Sequence, residues 1–202
     1  MTKGVEVIIK EHPLIIVILT PIIKRAHEQS FSKDIVFVDS SGSCDQMNTC
    51  VTFMYAASKI GAIPLACMLH TAQTESNYTL AFSVLKEYLS TNGFGGLGYP
   101  LLFMTDDSAS ERNALSSIYP SSRLLLCLFH LAQALWRWLW ASENHILNED
   151  RKPIMNMFRS IIYSSCIEEA ESQYDIMLTE NRCKKYPHLM AHIASIWERR
   201  TE

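Results

Sequence analysis

The spacing of hydrophobic residues changes several times along this chain of 202 residues. Ile35–Val38 is a short, mostly β-branched run that ends in Asp39, the pattern of a strand buried on both faces. Two further strand patterns follow at 51–57 and 63–70, separated by a short turn. Three strands in such quick succession predict an antiparallel meander.

Helical spacing replaces strand spacing after the third strand. Apolar residues recur at intervals of three and four between 75 and 89, and a buried strand pattern returns at 101–105. A second helix pattern, a fifth strand pattern at 123–127 and a series of helices complete the chain. This order predicts an α/β fold of the ribonuclease H-like type: a mixed five-stranded sheet flanked by helices, followed by a C-terminal helical insertion.

We therefore expect three segments. Residues 1–30 form an N-terminal strand and helix extension, 31–141 form the ribonuclease H-like core, and 142–202 form the helical insertion, incomplete at its C-terminus.

Acidic residues follow two of the predicted strands. In this element order the first and fourth strands are parallel neighbours, and they end in Asp39 and Asp106, with Asp107 as the fallback for the second acid. Adjacent strands lie about 5 Å apart, so acids at matching ends can share a divalent cation, and oxygen ligands favour Mg²⁺ or Mn²⁺. The structural alternative is that these aspartates begin turns or cap the next helix, which Ser108 and Glu111 open as a capping box.

Four stretches resemble successive motifs of Mutator-like element (MULE) transposase domains, in the order and spacing of that family. They are Asp34-Ile-Val-Phe-Val-Asp39-Ser-Ser, Gly61-Ala-Ile-Pro-Leu65, Phe103-Met-Thr-Asp106 and Cys127-Leu-Phe-His130. The resemblance is clear from about residue 35 to residue 133 and continues weakly through the later helices.

The resemblance implies a metal-dependent DNA cleavage and strand-transfer domain with a DDE triad, Mg²⁺ or Mn²⁺, and transposon terminal-repeat DNA as substrate. Asp39 matches the first acid and Asp106 the second, while His130 is expected near the metal site and Arg137 is a candidate nucleic-acid contact. The third acid of the family is a glutamate after a helical insertion, and no such motif precedes the end of the chain at Glu202. We therefore expect a truncated or domesticated, catalytically incomplete copy.

The other acids and possible metal ligands have simpler explanations. Glu168, Glu169 and Glu171 fit a solvated first turn of a helix. Cys127 and His130 match the family's CxxH motif, but zinc would require further ligands, and the six cysteines contain no CxxC pair.

Two further function classes stay open. One is a non-catalytic DNA- or protein-binding domain derived from a transposase. The other is a phosphotransfer or hydrolase domain with Asp39 as nucleophile, although the second aspartate expected two residues later is absent from Asp39-Ser40-Ser41.

Net charge and hydrophobicity limit the kinds of partner that the chain can bind. A formal charge of -3 gives no general attraction to nucleic acid, so any DNA contact must be local. The longest apolar run, around 14–23, is too short to cross a bilayer, so we expect no membrane partner and an intracellular, nuclear protein. A homo-oligomer is left open.

Overall fold

The computed structural model describes residues 4–199, which divide into one unit up to Leu126 and a second from Cys127 onward. Each unit has its own hydrophobic core. The segment boundaries predicted from the sequence, after residue 30 and after residue 141, each lie inside one of these units. They stay predictions.

The first unit contains a mixed sheet and helices. Its strands are β1 (Glu6–Glu11), β2 (Leu14–Leu19), β3 (Ile35–Ser41), β4 (Cys50–Ser58), β5 (Gly61–His70), β6 (Leu102–Thr105) and β7 (Arg123–Leu126). Its helices are α1 (Pro21–His27), α2 (Glu75–Leu89), the short α3 (Gly93–Gly96) and α4 (Ala109–Ile118). Within the described residues the sheet has seven strands in the order β1-β2-β5-β4-β3-β6-β7.

The mixed α/β class is confirmed, and the prediction of five strands is wrong. β3, β4 and β5 form the expected antiparallel meander, while β6 and β7 add to it in parallel. The two additional strands are the hairpin of β1 and β2, whose β2 pairs antiparallel with β5. The predicted N-terminal extension of one strand and a helix thus contains two strands, and they belong to the same sheet. The apolar run 14–19 is β2, and no helix in the described part of the chain is long and apolar enough to span a membrane.

Alternation along β3 and β6 separates the two faces of the sheet. Val36 and Val38 are buried on β3, whereas Phe37 and Asp39 point to the other face and are exposed. On β6, Phe103 is buried like Val36, with which it is paired. The core of this unit lies on the Val36 face, and α2 and α4 pack against one another there.

A buried histidine anchors the connection between α2 and β6. His27 Nε2–H donates to Leu65 O at 2.8 Å, and Phe94 N–H donates to His27 Nδ1 at 3.2 Å. Burial lowers the pKa of His27, so the ring stays neutral and accepts the second bond. Phe94 has φ 51° and is fully buried, which holds this glycine-rich segment in a left-handed turn.

The second unit is helical. Its helices are α5 (Leu128–Trp140), α6 (Asn148–Ile162), α7 (Ile167–Thr179), α8 (Asn181–Lys184) and α9 (Pro187–Glu198). Asp150 is 2% exposed and joins α6 to the segment around α8, accepting from Arg182 Nε at 3.1 Å and from the Tyr186 hydroxyl at 2.7 Å. Trp138 stacks on His192 with ring centroids 4.8 Å apart.

Replacing phenylalanine on either face of the sheet tests this arrangement. Phe103→Ala should lower the free energy of unfolding by about 3–5 kcal/mol, because it removes a fully buried ring from the core. Phe37→Ala, on the adjacent strand but 37% exposed, should cost clearly less. Denaturant unfolding followed by circular dichroism measures both, and equal losses would contradict the assignment of faces.

Candidate metal centre

Two aspartates lie at matching ends of neighbouring parallel strands. The strand register pairs Phe37 of β3 with Met104 of β6, and Asp39 and Asp106 each come two residues later. Asp39 lies on the Phe37 face of β3, and continued alternation past Thr105, the last residue of β6, would turn Asp106 to the same face. Adjacent strands are about 5 Å apart, which is within the span of two carboxylates that share one cation.

Asp39 extends from the exposed face of β3. It pairs with Phe53 of β4, as Phe37 pairs with Tyr55, and the Phe53 and Tyr55 rings stack with centroids 5.5 Å apart. Aromatic side chains therefore line the sheet next to this carboxylate.

Asp106 is half-buried where β6 gives way to α4. Its Oδ1 accepts a hydrogen bond from the backbone N–H of Ser108 at 2.9 Å, and the Ser108 hydroxyl accepts from Glu111 N–H at 3.4 Å. Asp106 thus begins a turn, which is the structural role that the sequence also allowed. The hydrogen bond from Ser108 also fixes the orientation of the Asp106 carboxylate. Oδ2 is the oxygen that a cation would take, while Asp107 is exposed beside it.

Glu111 is the residue that sequence reasoning assigned to the wrong partner. The capping box expected its carboxyl group to turn back to the N-terminus of α4, but the Ser108 N–H bonds Asp106 instead. Glu111 is 1% exposed, and its Oε2 lies 2.6 Å from the hydroxyl oxygen of Ser40 on β3. No local pattern could have revealed this contact, because the two residues are 71 positions apart.

Burial raises the pKa of Glu111 to about 7. The hydrogen bond that the Ser40 hydroxyl can donate to the ionised form opposes this effect, as does the charge of Arg112, while the negative charges of Asp106 and Asp39 add to it. Glu111 therefore senses both aspartates of the pair. Arg112 also donates from Nη1 to the Thr105 hydroxyl at 3.3 Å, which keeps a positive charge at the end of β6.

The other predicted site residues belong to the second unit. His130 is half-buried on α5, with its ring 5.5 Å from that of Phe129, and Arg137 is exposed on the same helix. Cys127 is the N-cap residue of α5. The structure thus brings Asp39 and Asp106 to neighbouring strand ends, while the roles of His130 and Arg137 stay predictions.

Within residues 4–199, no group of three or more His, Cys, Asp or Glu side chains is arranged to hold a metal ion. The first-turn acids of α7 fit the structural explanation: they are exposed, and Glu169 Oε2 accepts from the N–H and the hydroxyl of Ser165, both at 2.8 Å. Glu202, the last residue, lies outside the described residues.

Comparison with known proteins supports one family. Residues 44–134 match the model of the MULE transposase domain, which confirms the resemblance found in the sequence. The match contains Asp106 and His130, whereas Asp39 lies before its first residue and Arg137 after its last. No curated protein matches the chain.

The raised pKa of Glu111 predicts a specific pH dependence of stability. Folding raises this pKa from an ordinary 4.5 to about 7. The group therefore contributes fully to the free energy of unfolding below pH 4.5, and this contribution is lost as the pH rises through 7. Glutamine does not titrate. Relative to Glu111→Gln, the original chain should therefore lose on the order of 3 kcal/mol of unfolding free energy between pH 5 and 8.

Denaturant unfolding of both proteins across this pH range measures the difference. His27 and His70, whose pKa values burial lowers, titrate in both proteins, and their effect cancels in the comparison. A difference that stays constant with pH would contradict a raised Glu111 pKa.

Proposed function

We propose, because this chain carries a MULE transposase domain, that its first unit binds a divalent cation through Asp39 and Asp106 and acts on DNA. The observation that carries the proposal is the parallel pairing of β3 with β6, which supports a shared edge of the sheet for the two aspartates. The sequence motifs alone supply the two acids but not the pairing of their strands.

The chemistry of the donors fits a hard cation. Both side chains offer only carboxylate oxygens, which favour Mg²⁺ or Mn²⁺ over zinc. A bound ion of this kind would polarise a phosphodiester and activate water or a DNA 3′-hydroxyl. The chain's own contribution is orientation: the backbone N–H of Ser108 holds the Asp106 carboxylate, and the strand backbone holds Asp39.

The strand order also supports a ribonuclease H-like core. Strands β5, β4, β3, β6 and β7 are consecutive in the sheet and have the antiparallel and parallel relations expected of that fold. On this proposal the hairpin of β1 and β2 is an addition at the β5 edge. A transposase of this kind would act in the nucleus on terminal-repeat DNA.

A second candidate is a transposase-derived domain that binds DNA or protein without catalysis. It is favoured by one observation: the described residues offer two carboxylates at the sheet and no group of three metal-binding side chains. Hydrolysis through an Asp39 nucleophile is less favoured, because β3 pairs antiparallel with β4 and parallel only with β6.

Removing either acid should weaken cation binding. Asp39→Asn and Asp106→Asn should each reduce Mn²⁺ affinity by more than about tenfold, since loss even of an outer-shell partner costs about 10–100-fold. Isothermal titration with Mn²⁺ measures this, with Glu87→Gln, an exposed acid on α2, as the control and Asp107→Asn as the test of the fallback acid. If neither Asp39→Asn nor Asp106→Asn changes the affinity, the aspartate pair does not hold the cation.

Two carboxylates without a third acid hold a catalytic metal weakly, so we expect this chain to show no cleavage of terminal-repeat DNA with Mg²⁺. An end-labelled terminal-repeat duplex on a denaturing gel measures this, with Asp39→Asn as the control for contaminating nuclease. Cleavage that disappears in Asp39→Asn would contradict the expectation and show that the chain completes its own catalytic centre. DNA binding without cleavage would agree with the second candidate.

A further inference from the structure

A line of hydrogen bonds runs under the end of β3, on the face of the sheet opposite Asp39. It begins at Glu111 on α4 and passes through the hydroxyl groups of Ser40 and Thr52, which are 2.8 Å apart. Thr52 Oγ1 then lies 2.8 Å from His70 Nε2, and His70 Nδ1 lies 2.8 Å from Ala72 O. Glu111, Thr52 and His70 are each at most 1% exposed.

The direction of each hydrogen bond in this line follows from the contact of His70 with the Ala72 carbonyl group. A backbone carbonyl only accepts, so His70 Nδ1 carries the hydrogen shared with Ala72 O. Burial lowers the pKa of His70, which keeps the ring neutral and leaves Nε2 as an acceptor. The Thr52 hydroxyl must therefore donate to His70, and the Ser40 hydroxyl must donate to Thr52.

The contact between Ser40 and Glu111 then lacks a hydrogen unless Glu111 supplies it. Three contacts link Glu111, Ser40, Thr52 and His70, and the two hydroxyl groups provide only two hydrogens. A protonated Glu111 donates to Ser40 and completes the set. Ser40 Oγ retains a second lone pair, which the Tyr78 hydroxyl, whose pKa Ser40 influences, is free to use as a donor.

The second oxygen of Glu111 agrees with a neutral acid. Oε1 is buried and has no hydrogen-bond partner within the described residues. An unpartnered oxygen costs much more in a buried carboxylate than in a neutral carboxylic acid. Asp39 and Asp106 also disfavour a third negative charge beside them.

We propose that Glu111 is a positioning residue for the Asp39–Asp106 pair, acting as a neutral hydrogen-bond donor to Ser40. Ser40 adjoins Asp39 in the chain, and α4, which carries Glu111, begins at Ala109, three residues after Asp106. One buried side chain thus ties together the two strand ends that bear the acids. Glu111 itself reaches β3 from the opposite face and is not a ligand of the cation. This inference rests on the proposed function.

Three variants test the role of Glu111. Glu111→Gln keeps a donor to Ser40, so Mn²⁺ affinity should stay within about threefold of the original, whereas Glu111→Ala should weaken it by about 10–100-fold. Leu115→Ala, a fully buried position on the same helix, should lower stability without changing Mn²⁺ affinity. Isothermal titration at a temperature where all variants are folded measures the affinities.

Three outcomes would overturn the proposal. Equal weakening by Glu111→Gln and Glu111→Ala would show that the charge of Glu111 matters, and an unchanged affinity in Glu111→Ala would show that it positions nothing. Equal weakening by Leu115→Ala and Glu111→Ala would reduce the effect to stability and would likewise overturn it.

A metal-free measurement separates this inference from the proposed function. Amide hydrogen exchange at Asp39–Ser41 should accelerate in Glu111→Ala and stay near the original rate in Glu111→Gln. If the exchange behaves so but the original chain binds no Mn²⁺, the hydrogen-bond line holds the end of β3 and the metal proposal is wrong. If Mn²⁺ binds through the two aspartates, but neither the hydrogen-exchange rate nor the Mn²⁺ affinity changes in Glu111→Ala, only the positioning role is wrong.

Discussion

The in-register parallel pairing of β3 and β6 is the interaction on which the candidate site depends. Because side chains alternate along a strand, a slip of one residue would turn one of the two aspartates to the opposite face. Burial fixes the register: Val36 and Phe103 are paired, and both are completely enclosed by the core. The same packing that stabilises the sheet therefore sets the direction of Asp39 and brings the end of β6 beside it, and the contact of Glu111 with Ser40 adds a further link between the two strand ends.

Two opposite faces of the same strand end have different chemistry. Asp39 faces the exposed side, where a charged carboxylate can be hydrated or can bind a cation. Ser40, one residue later, faces the core, where it joins Thr52, His70 and Glu111 in a hydrogen-bonded set of buried polar groups, although Glu111 Oε1 has no partner within the described residues. Hydrogen bonds among buried polar groups also rigidify the backbone that carries them. The strand alternation thus separates the charged site from the neutral groups that support it.

Much of the fold could be predicted from local patterns. The apolar runs of β3 and β6, each followed by aspartate, predicted two buried strands and the position of their acids, and the meander followed from the close succession of strands. The sequence predicted one strand in residues 1–30, where the structure has a hairpin. The short apolar stretch of β1 is enclosed by charged residues, and its Val7 and Ile9 remain exposed, so it carries no pattern of a buried strand. The wholly apolar run of β2 does not by itself reveal its partner strand. The family motifs, which begin near β3, gave no information about this hairpin.

Local sequence patterns predicted the residues of the candidate site that end a strand or begin a helix, but not the tertiary contacts of those residues. Glu111 follows Ser108 at capping-box spacing, and only the tertiary fold shows that Ser40 is its partner. The environment of Glu111, which raises its pKa, likewise comes from α4 packing on the sheet and has no sequence signature. Sequence motifs suggested roles for His130 and Arg137, which lie on α5, and motif spacing carries no information on which groups face them.

The separation of the hydrophobic cores has a practical consequence for spectroscopy. All four tryptophans lie in the second unit, at 136, 138, 140 and 197. Tryptophan fluorescence therefore reports the unfolding of the helical second unit, and no tryptophan in the first unit reports directly on the sheet that bears the acids. Since two units with separate cores need not unfold as one cooperative transition, a midpoint obtained from that emission describes only part of the molecule.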